Sequence, residues 1–162
     1  MIISEAPYED VLGLRRQVMY PDKDIEFVKL PDDDRGLHIG VYENDDLVSV
    51  MSIFLHGRDV QFRKLATRSE MQGKGYATAL MEWLISYAND LKLDRLWCNA
   101  RSEATDVYKK FGYIEIDDAR INETCDAYFK WKDLNTYIKS TSSRGINMPD
   151  AISEPMGCYC LG

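Results

Sequence analysis

The sequence predicts a single mixed α/β (α+β) domain: a mostly antiparallel sheet with a central parallel β-α-β unit, flanked by helices. Three observations carry this. First, 162 residues, 45% hydrophobic and 29% charged, suffice for one core and exclude a disordered or fibrous chain. Second, short β runs between Leu37 and Thr67 are separated by polar turns, as in hairpins. Third, a long helical pattern from Gly73 to Lys92 joins two β runs, which requires a parallel crossover.

The elements follow in order. In Tyr8 to Tyr20, Val11, Leu12, Leu14 and Val18 fall on one helical face, and Pro21 stops the helix. Pro21 to Gly36, acidic and broken by Pro31 and Asp32-Asp33-Asp34, reads as loop with room for one short helix. Leu37–Tyr42 and Leu47–Leu55 form a hairpin around the polar turn Glu43-Asn44-Asp45-Asp46, and Gly57-Arg58-Asp59 turns the chain into a third strand, Val60–Thr67. The helix Gly73–Lys92 presents Leu80, Met81, Leu84, Ile85 and Ala88 to the core, and Leu93–Ala100 returns beside the third strand. Ser102 caps a short helix ending near Gly112; Tyr113–Ile116 and Cys125–Trp131 are the last strands. Beyond Asp133 the pattern fades. Residues 1–134 therefore read as the domain and 135–162 as a C-terminal extension or tail, through which a homodimer is one outcome left open.

Net charge is −7, and up to Asp46 twelve acidic residues face five basic ones. Such a balance speaks against gripping nucleic-acid phosphates; the acidic third either forms solvated loops or attracts cations. No apolar run approaches the roughly 20 residues of a membrane span, and the start lacks a secretory pattern, so a cytoplasmic protein with no membrane partner is expected. Four cysteines and two histidines, with Cys158-Tyr159-Cys160 in the tail, match neither a disulfide framework nor a four-ligand zinc site. No metal is expected.

The informative stretch is Arg63-Lys64-Leu65-Ala66-Thr67-Arg68-Ser69-Glu70-Met71-Gln72-Gly73-Lys74-Gly75-Tyr76-Ala77. A strand ends, a short loop follows, and a glycine-containing turn opens a long helix. The unsatisfied N–H groups and positive dipole end of that helix suit a phosphate. Gly73 and Gly75 permit positive φ and close approach, while Lys74 and Arg68 can add charge from the flanks. A P-loop pattern is absent, and a dinucleotide fingerprint fails at Thr78; Asp94 opens its strand rather than ending it.

Gln72-Gly73-Lys74-Gly75-Tyr76-Ala77 fits Q/R-x-x-G-x-G/A, and Ala104-Thr105-Asp106-Val107-Tyr108-Lys109-Lys110-Phe111-Gly112-Tyr113 resembles A-x-x-F-Y-x-x-x-G-F, with Val107 and Tyr113 as apolar-bodied replacements. With both motifs, roughly Tyr8 to Leu134 resembles the GNAT superfamily of N-acetyltransferases, so the fold is expected to be GNAT-like. The resemblance implies acetyl-CoA as co-substrate. It implies that the strand before the signature splays from its parallel neighbour and that pantetheine lies in the gap. Leu65, Ala66 and Thr67 then border the pantetheine, and Gln72, Gly73, Lys74, Gly75, Tyr76 and Ala77 hold the pyrophosphate. Ala104 joins this cofactor-binding set, as does Asn99, which touches the pantetheine arm or the acceptor, or else ties down its own strand end. Tyr108 becomes the catalytic residue, donating a proton to the departing sulfur; the alternative for it is core packing.

A thiol pKa near 8.5 against a phenol near 10 makes that transfer only modestly uphill. The amine is harder: at a pKa of about 10.4, exposing its lone pair near neutral pH costs roughly 4.6 kcal/mol. Glu70, Glu103, Asp106 and His56 are the candidate bases, and Arg63, where relatives sometimes carry a carboxylate, favours a water-mediated route. A covalent path through Cys98 is disfavoured, since Leu96-Trp97-Cys98 reads as a packed strand without a nearby histidine. The expected function is acetyl transfer by direct attack of a primary amine, on a small cationic amine or a peptide. The alternative is a non-catalytic acyl-CoA-binding regulatory module, which would have no need of Tyr108.

Overall fold

The computed structural model describes residues 1–100, 105–116 and 127–131. The elements run β1 (Ile2–Glu5), α1 (Tyr8–Met19), β2 (Leu37–Glu43), β3 (Asp46–His56), β4 (Asp59–Thr67), α2 (Tyr76–Asp90), β5 (Arg95–Ala100), α3 (Thr105–Lys110), β6 (Tyr113–Ile116) and β7 (Ala127–Trp131). They form one seven-stranded sheet in the order β1-β2-β3-β4-β5-β7-β6. Among the described strands only β4 and β5 pair in parallel, across the α2 crossover, as expected of the β-α-β unit.

The two faces of the sheet differ. Val41, Met51, Ile53, Val60, Phe62 and Leu65 pack with Leu80, Met81 and Leu84 of α2 in the main core. On the opposite face Val50, Ala66 and Leu47 meet Val11 and Leu14 of α1. Strand alternation accounts for the split, since neighbours in sequence point to opposite faces. The β2–β3 hairpin closes through Asn44 and Asp45, both at positive φ (50° and 68°), the geometry that matches the twist of two-residue hairpins.

Several boundaries differ from expectation. The edge strand β1 is absent from the sequence reading: it is four residues long, mostly exposed, and defined only by its pairing with Ile39–Tyr42. The loop between α1 and β2 holds two 3-10 turns, Glu26–Val28 and Asp33–Arg35, rather than one. Helix α2 begins at Tyr76, not Gly73, because Gly73 and Gly75 take φ of 73° and 88°, outside the helical region. Ser102 and Cys125, and the tail from 135, lie outside the described residues.

A break in β4 positions the site. Val50 faces Ala66 and Ser52 faces Arg63, so Lys64 and Leu65 together oppose the single residue Met51. This is a β-bulge, with Lys64 in the left-handed region at φ 56°.

Candidate active site

Strands β4 and β5 pair over three residues only, Asp59↔Arg95, Val60↔Leu96 and Gln61↔Trp97. Beyond them β4 continues to Thr67, paired with β3 alone, and β5 continues to Ala100, paired with β7 alone. The two strands therefore diverge, and the six residues Phe62–Thr67 have no strand partner on the β5 side. At the closed end Arg58 donates to both oxygens of Asp94 at 2.8 and 3.0 Å, while Asp94 N–H donates to Arg58 O at 2.7 Å. Asp94 thus serves the strand junction.

The open end leads into the glycine turn. Gln72 Nε2 donates to Thr67 O at 3.1 Å, fixing the strand end to the loop. The first α2 hydrogen bond runs from Ala79 N–H to Gly75 O at 2.9 Å, so the N–H groups of Tyr76, Ala77 and Thr78 have no acceptor within the helix. Neither Gly73 nor Gly75 has a heavy atom within 4 Å of where a Cβ would stand. Positive φ, not crowding within the chain, is what calls for glycine here. Lys74 is exposed, with its ammonium 3.5 Å from Met71 Sδ. Leu65, Ala66 and Thr67 are buried on the divergent stretch of β4, with Thr67 Oγ1 2.8 Å from Ser49 Oγ.

Tyr108 stands at the apex of the divergence. Phe62 is the first β4 residue past the last pair, and the Tyr108 ring lies 5.8 Å from it and 5.9 Å from Tyr113. Tyr108 is fully buried. Asn99, half-buried on β5 opposite Tyr128, makes no side-chain hydrogen bond among the described residues. Ala104 and Glu103 lie outside the described residues. Among the other base candidates, Glu70 and Asp106 are exposed. His56 pairs with Asp59 at the closed end, away from the opening. Cys98 is fully buried within β5.

The sequence reading missed the buried polar cluster that fastens the loop between α1 and β2. Arg15, fully buried, donates to Asp33 Oδ2 at 2.7 Å and Oδ1 at 2.9 Å, and to Ser52 Oγ at 2.7 Å. Tyr8 OH and Leu30 N–H also donate to Asp33 Oδ2, at 2.7 and 2.9 Å. His38 bridges Ser52 Oγ and Asp33 O at 2.8 and 3.0 Å. Burial pushes the Asp33 carboxyl up, but the donors from Arg15 and Leu30 outweigh it and hold the group below its usual range. Burial, followed by the bond to Asp33, pushes the Tyr8 phenol up to about 12. One residue earlier, Asp32 accepts from Arg63 Nη1 at 2.9 and 3.2 Å, tying the same loop to β4. Lys64, buried at the bulge, donates to Tyr20 OH at 3.3 Å and lies 5.1 Å over its ring. The available signal was Arg15 itself, a charge on the face shared by Val11, Leu12 and Val18.

No helix among the described residues is long and apolar enough to cross a membrane. Residues 116–162 match the Bsp6I restriction endonuclease family. The type II restriction enzyme Bsp6I of Bacillus sp. (strain RFL6) is 44% identical over 50 residues, 31% of this chain, and the chain spans only 29% of that enzyme's length. That segment contains β7, which is paired here with β5 and β6. The uncharacterized N-acetyltransferase YitI of Bacillus subtilis (strain 168) is 23% identical over 119 residues, covering 68% of this chain and 80% of YitI. Among solved structures, a GNAT-family acetyltransferase from Staphylococcus aureus Mu50 superposes with a TM-score of 0.69 at 12% identity, covering 82% of this chain and 98% of its own. An aminoglycoside 6'-N-acetyltransferase complexed with coenzyme A gives 0.66 at 15%, covering 83% and 97%. Residues 17–128 match the acetyltransferase (GNAT) domain family, and with the divergent β4–β5 pair and its glycine turn on that stretch, the chain belongs to this family of N-acetyltransferases.

Proposed function

We propose that the chain moves the acetyl group of acetyl-CoA to a primary amine by direct attack. One observation supports this above the rest: the strand divergence ends in a positive-φ glycine turn that points free helix N–H groups at its mouth. Acetyl-CoA supplies the activated acyl group. The unpartnered edge of Leu65, Ala66 and Thr67 suits the amides of pantetheine. Gln72 to Ala77 offer backbone N–H groups and a helix dipole to the pyrophosphate, and Asn99 and Ala104 flank the arm. Tyr108, beside the apex, gives its phenolic proton to the leaving sulfur. His56 is too far along the closed end to serve the amine, which leaves a water-mediated route toward Glu70, Glu103 or Asp106.

The acceptor is proposed to be a small cationic amine or a peptide amine. Among the described residues Asp22, Asp24 and Asp34 of the α1–β2 loop stay exposed outside any ion pair, whereas Asp32 and Asp33 are neutralised by Arg63 and Arg15. We take residues 1–134 as the catalytic domain and 135–162 as an extension, since β7 ends at Trp131.

Free-thiol release from acetyl-CoA with an amine panel tests the reading. Wild type should turn over, prefer cationic to anionic amines, and lose about 100-fold or more in kcat on Tyr108→Phe, the lower end of general-acid contributions. Absence of coenzyme A affinity by calorimetry would falsify the assignment of the glycine turn, and an unchanged kcat in Tyr108→Phe that of the acid.

A further inference from the structure

A second cavity lies outside the strand divergence, between α1 and the β2–β3 hairpin, with a volume of about 440 Å³. That lies within the ~300–1,000 Å³ range of small-ligand sites. Its wall carries the carboxylates of Glu9, Asp10 and Asp45 and the guanidinium of Arg68. Among the described residues none of these four side chains is in an ion pair or a side-chain hydrogen bond, and Arg68 Nε is buried without an acceptor. Opposite charges line one cavity without pairing, which leaves both signs available to a bridging molecule.

Gly13 supplies an independent observation. It sits in the middle of α1 on the cavity wall, its φ is not positive, and nothing lies within 4 Å of where its Cβ would stand. Neither backbone conformation nor internal packing asks for glycine there, and a helix interior disfavours it. The missing side chain keeps the cavity open. Tyr42 adds a hydroxyl: burial, then the Asp10 charge, pushes its phenol up, so it remains a donor.

We propose that this cavity is a ligand site separate from the acetyl-transfer cleft, taking a small zwitterion. Its ammonium lies against Glu9, Asp10 and Asp45, and its carboxylate accepts from Arg68. The inference does not depend on which amine is acetylated.

The test uses the whole chain and 4-(dimethylamino)butanoate, a zwitterion whose tertiary nitrogen cannot retain an acetyl group. Titration followed by amide chemical shifts should give saturable binding to wild type, with shifts on α1 and the hairpin. N,N-dimethylbutylamine and butanoate, carrying one charge each, should bind at least about tenfold more weakly, as expected when a charged hydrogen bond is lost. Gly13→Leu, which fills the cavity, and Arg68→Gln should each weaken binding by a similar factor, while Gly13→Leu leaves acetyl transfer unchanged. No saturable binding to wild type, equal binding of the amine alone, or full affinity in Arg68→Gln overturns the proposal. Because the readout is binding without turnover, failure here is distinct from failure of the acetyl-transfer reading.

Discussion

Asp33→Ala is the substitution with the most to lose. It removes four accepted hydrogen bonds at once, two from Arg15 and one each from Tyr8 and Leu30 N–H. It also strands a guanidinium that is 0% exposed, whose Nε already lacks an acceptor. Ser52 Oγ and Val28 O remain, at 2.7 and 3.3 Å, but neither carries charge. Breaking one side of a buried ion pair costs about 3–5 kcal/mol, against roughly 5–15 kcal/mol for a whole domain. Urea unfolding of Asp33→Ala, Arg15→Met and the pair of substitutions together forms a double-mutant cycle. The double variant should lose less than the sum, with a coupling of at least about 1–3 kcal/mol. Additivity within about 0.5 kcal/mol would mean that the two groups are not coupled and would sink the reasoning. The pH dependence follows from the same bonds. Asp33 has a lowered folded pKa, so its contribution is full above its unfolded value of about 4 and is lost as pH falls through the lower folded value. Tyr8, raised to about 12, contributes fully below about pH 10 and loses that contribution as pH rises through 12. Arg15→Met should flatten the acid limb.

Three further outcomes are expected. Gly75→Ala forces a Cβ into φ 88° and should cost roughly 1–2 kcal/mol of stability, with the KM for acetyl-CoA rising more than kcat falls in steady-state assays. Gly13→Ala should stabilise by about 0.5–1 kcal/mol in thermal or urea unfolding, because the helix gains propensity and the added methyl meets nothing. Arg63→Met leaves the Asp32 carboxylate unneutralised and should lower the KM of a cationic acceptor several-fold, about 1 kcal/mol for one partly exposed charge pair, with the acetyl-CoA KM unmoved.

Local chemistry was the legible part of the sequence. The apolar spacing of Leu80, Met81, Leu84 and Ile85, the alternation of Leu37–Thr67 and the glycines of the turn before α2 are all encoded within a few residues of one another. What escaped depends on distant partners. Ile2–Glu5 becomes a strand only because Ile39–Tyr42 offers an edge. Arg15 is tolerable on an apolar face only because Asp33, Ser52 and Val28 O converge on it. His56 looked like a candidate base until the β3–β4 register put it at the closed end. The bulge at Lys64 did leave a trace. Val60 and Phe62 face α2 at period two, and the next residue on that face is Leu65, three positions on. A period that skips one residue within a strand marks an inserted residue.

The same bulge explains why the divergent strands do not close. Closing requires β4 to approach β5, yet β4 is held to β3 as far as Thr67 and β5 to β7 as far as Ala100. The two strands could approach only by carrying β3 and β7 with them, since those ladders occupy their far edges. Left-handed backbone at Lys64 turns β4 at that point, and the rings of Phe62, Tyr108 and Tyr113 fill the apex where the strands part. The opening is therefore built into the packed fold rather than created by a moving loop. A ligand that lays its own amides along Phe62–Thr67 gains the pairing that β5 withholds, without paying to order the protein first, which is where preorganised sites obtain their affinity. Wedge, bulge and glycine turn thus act on one short length of chain, and Tyr108 belongs to both the wedge and the proposed chemistry.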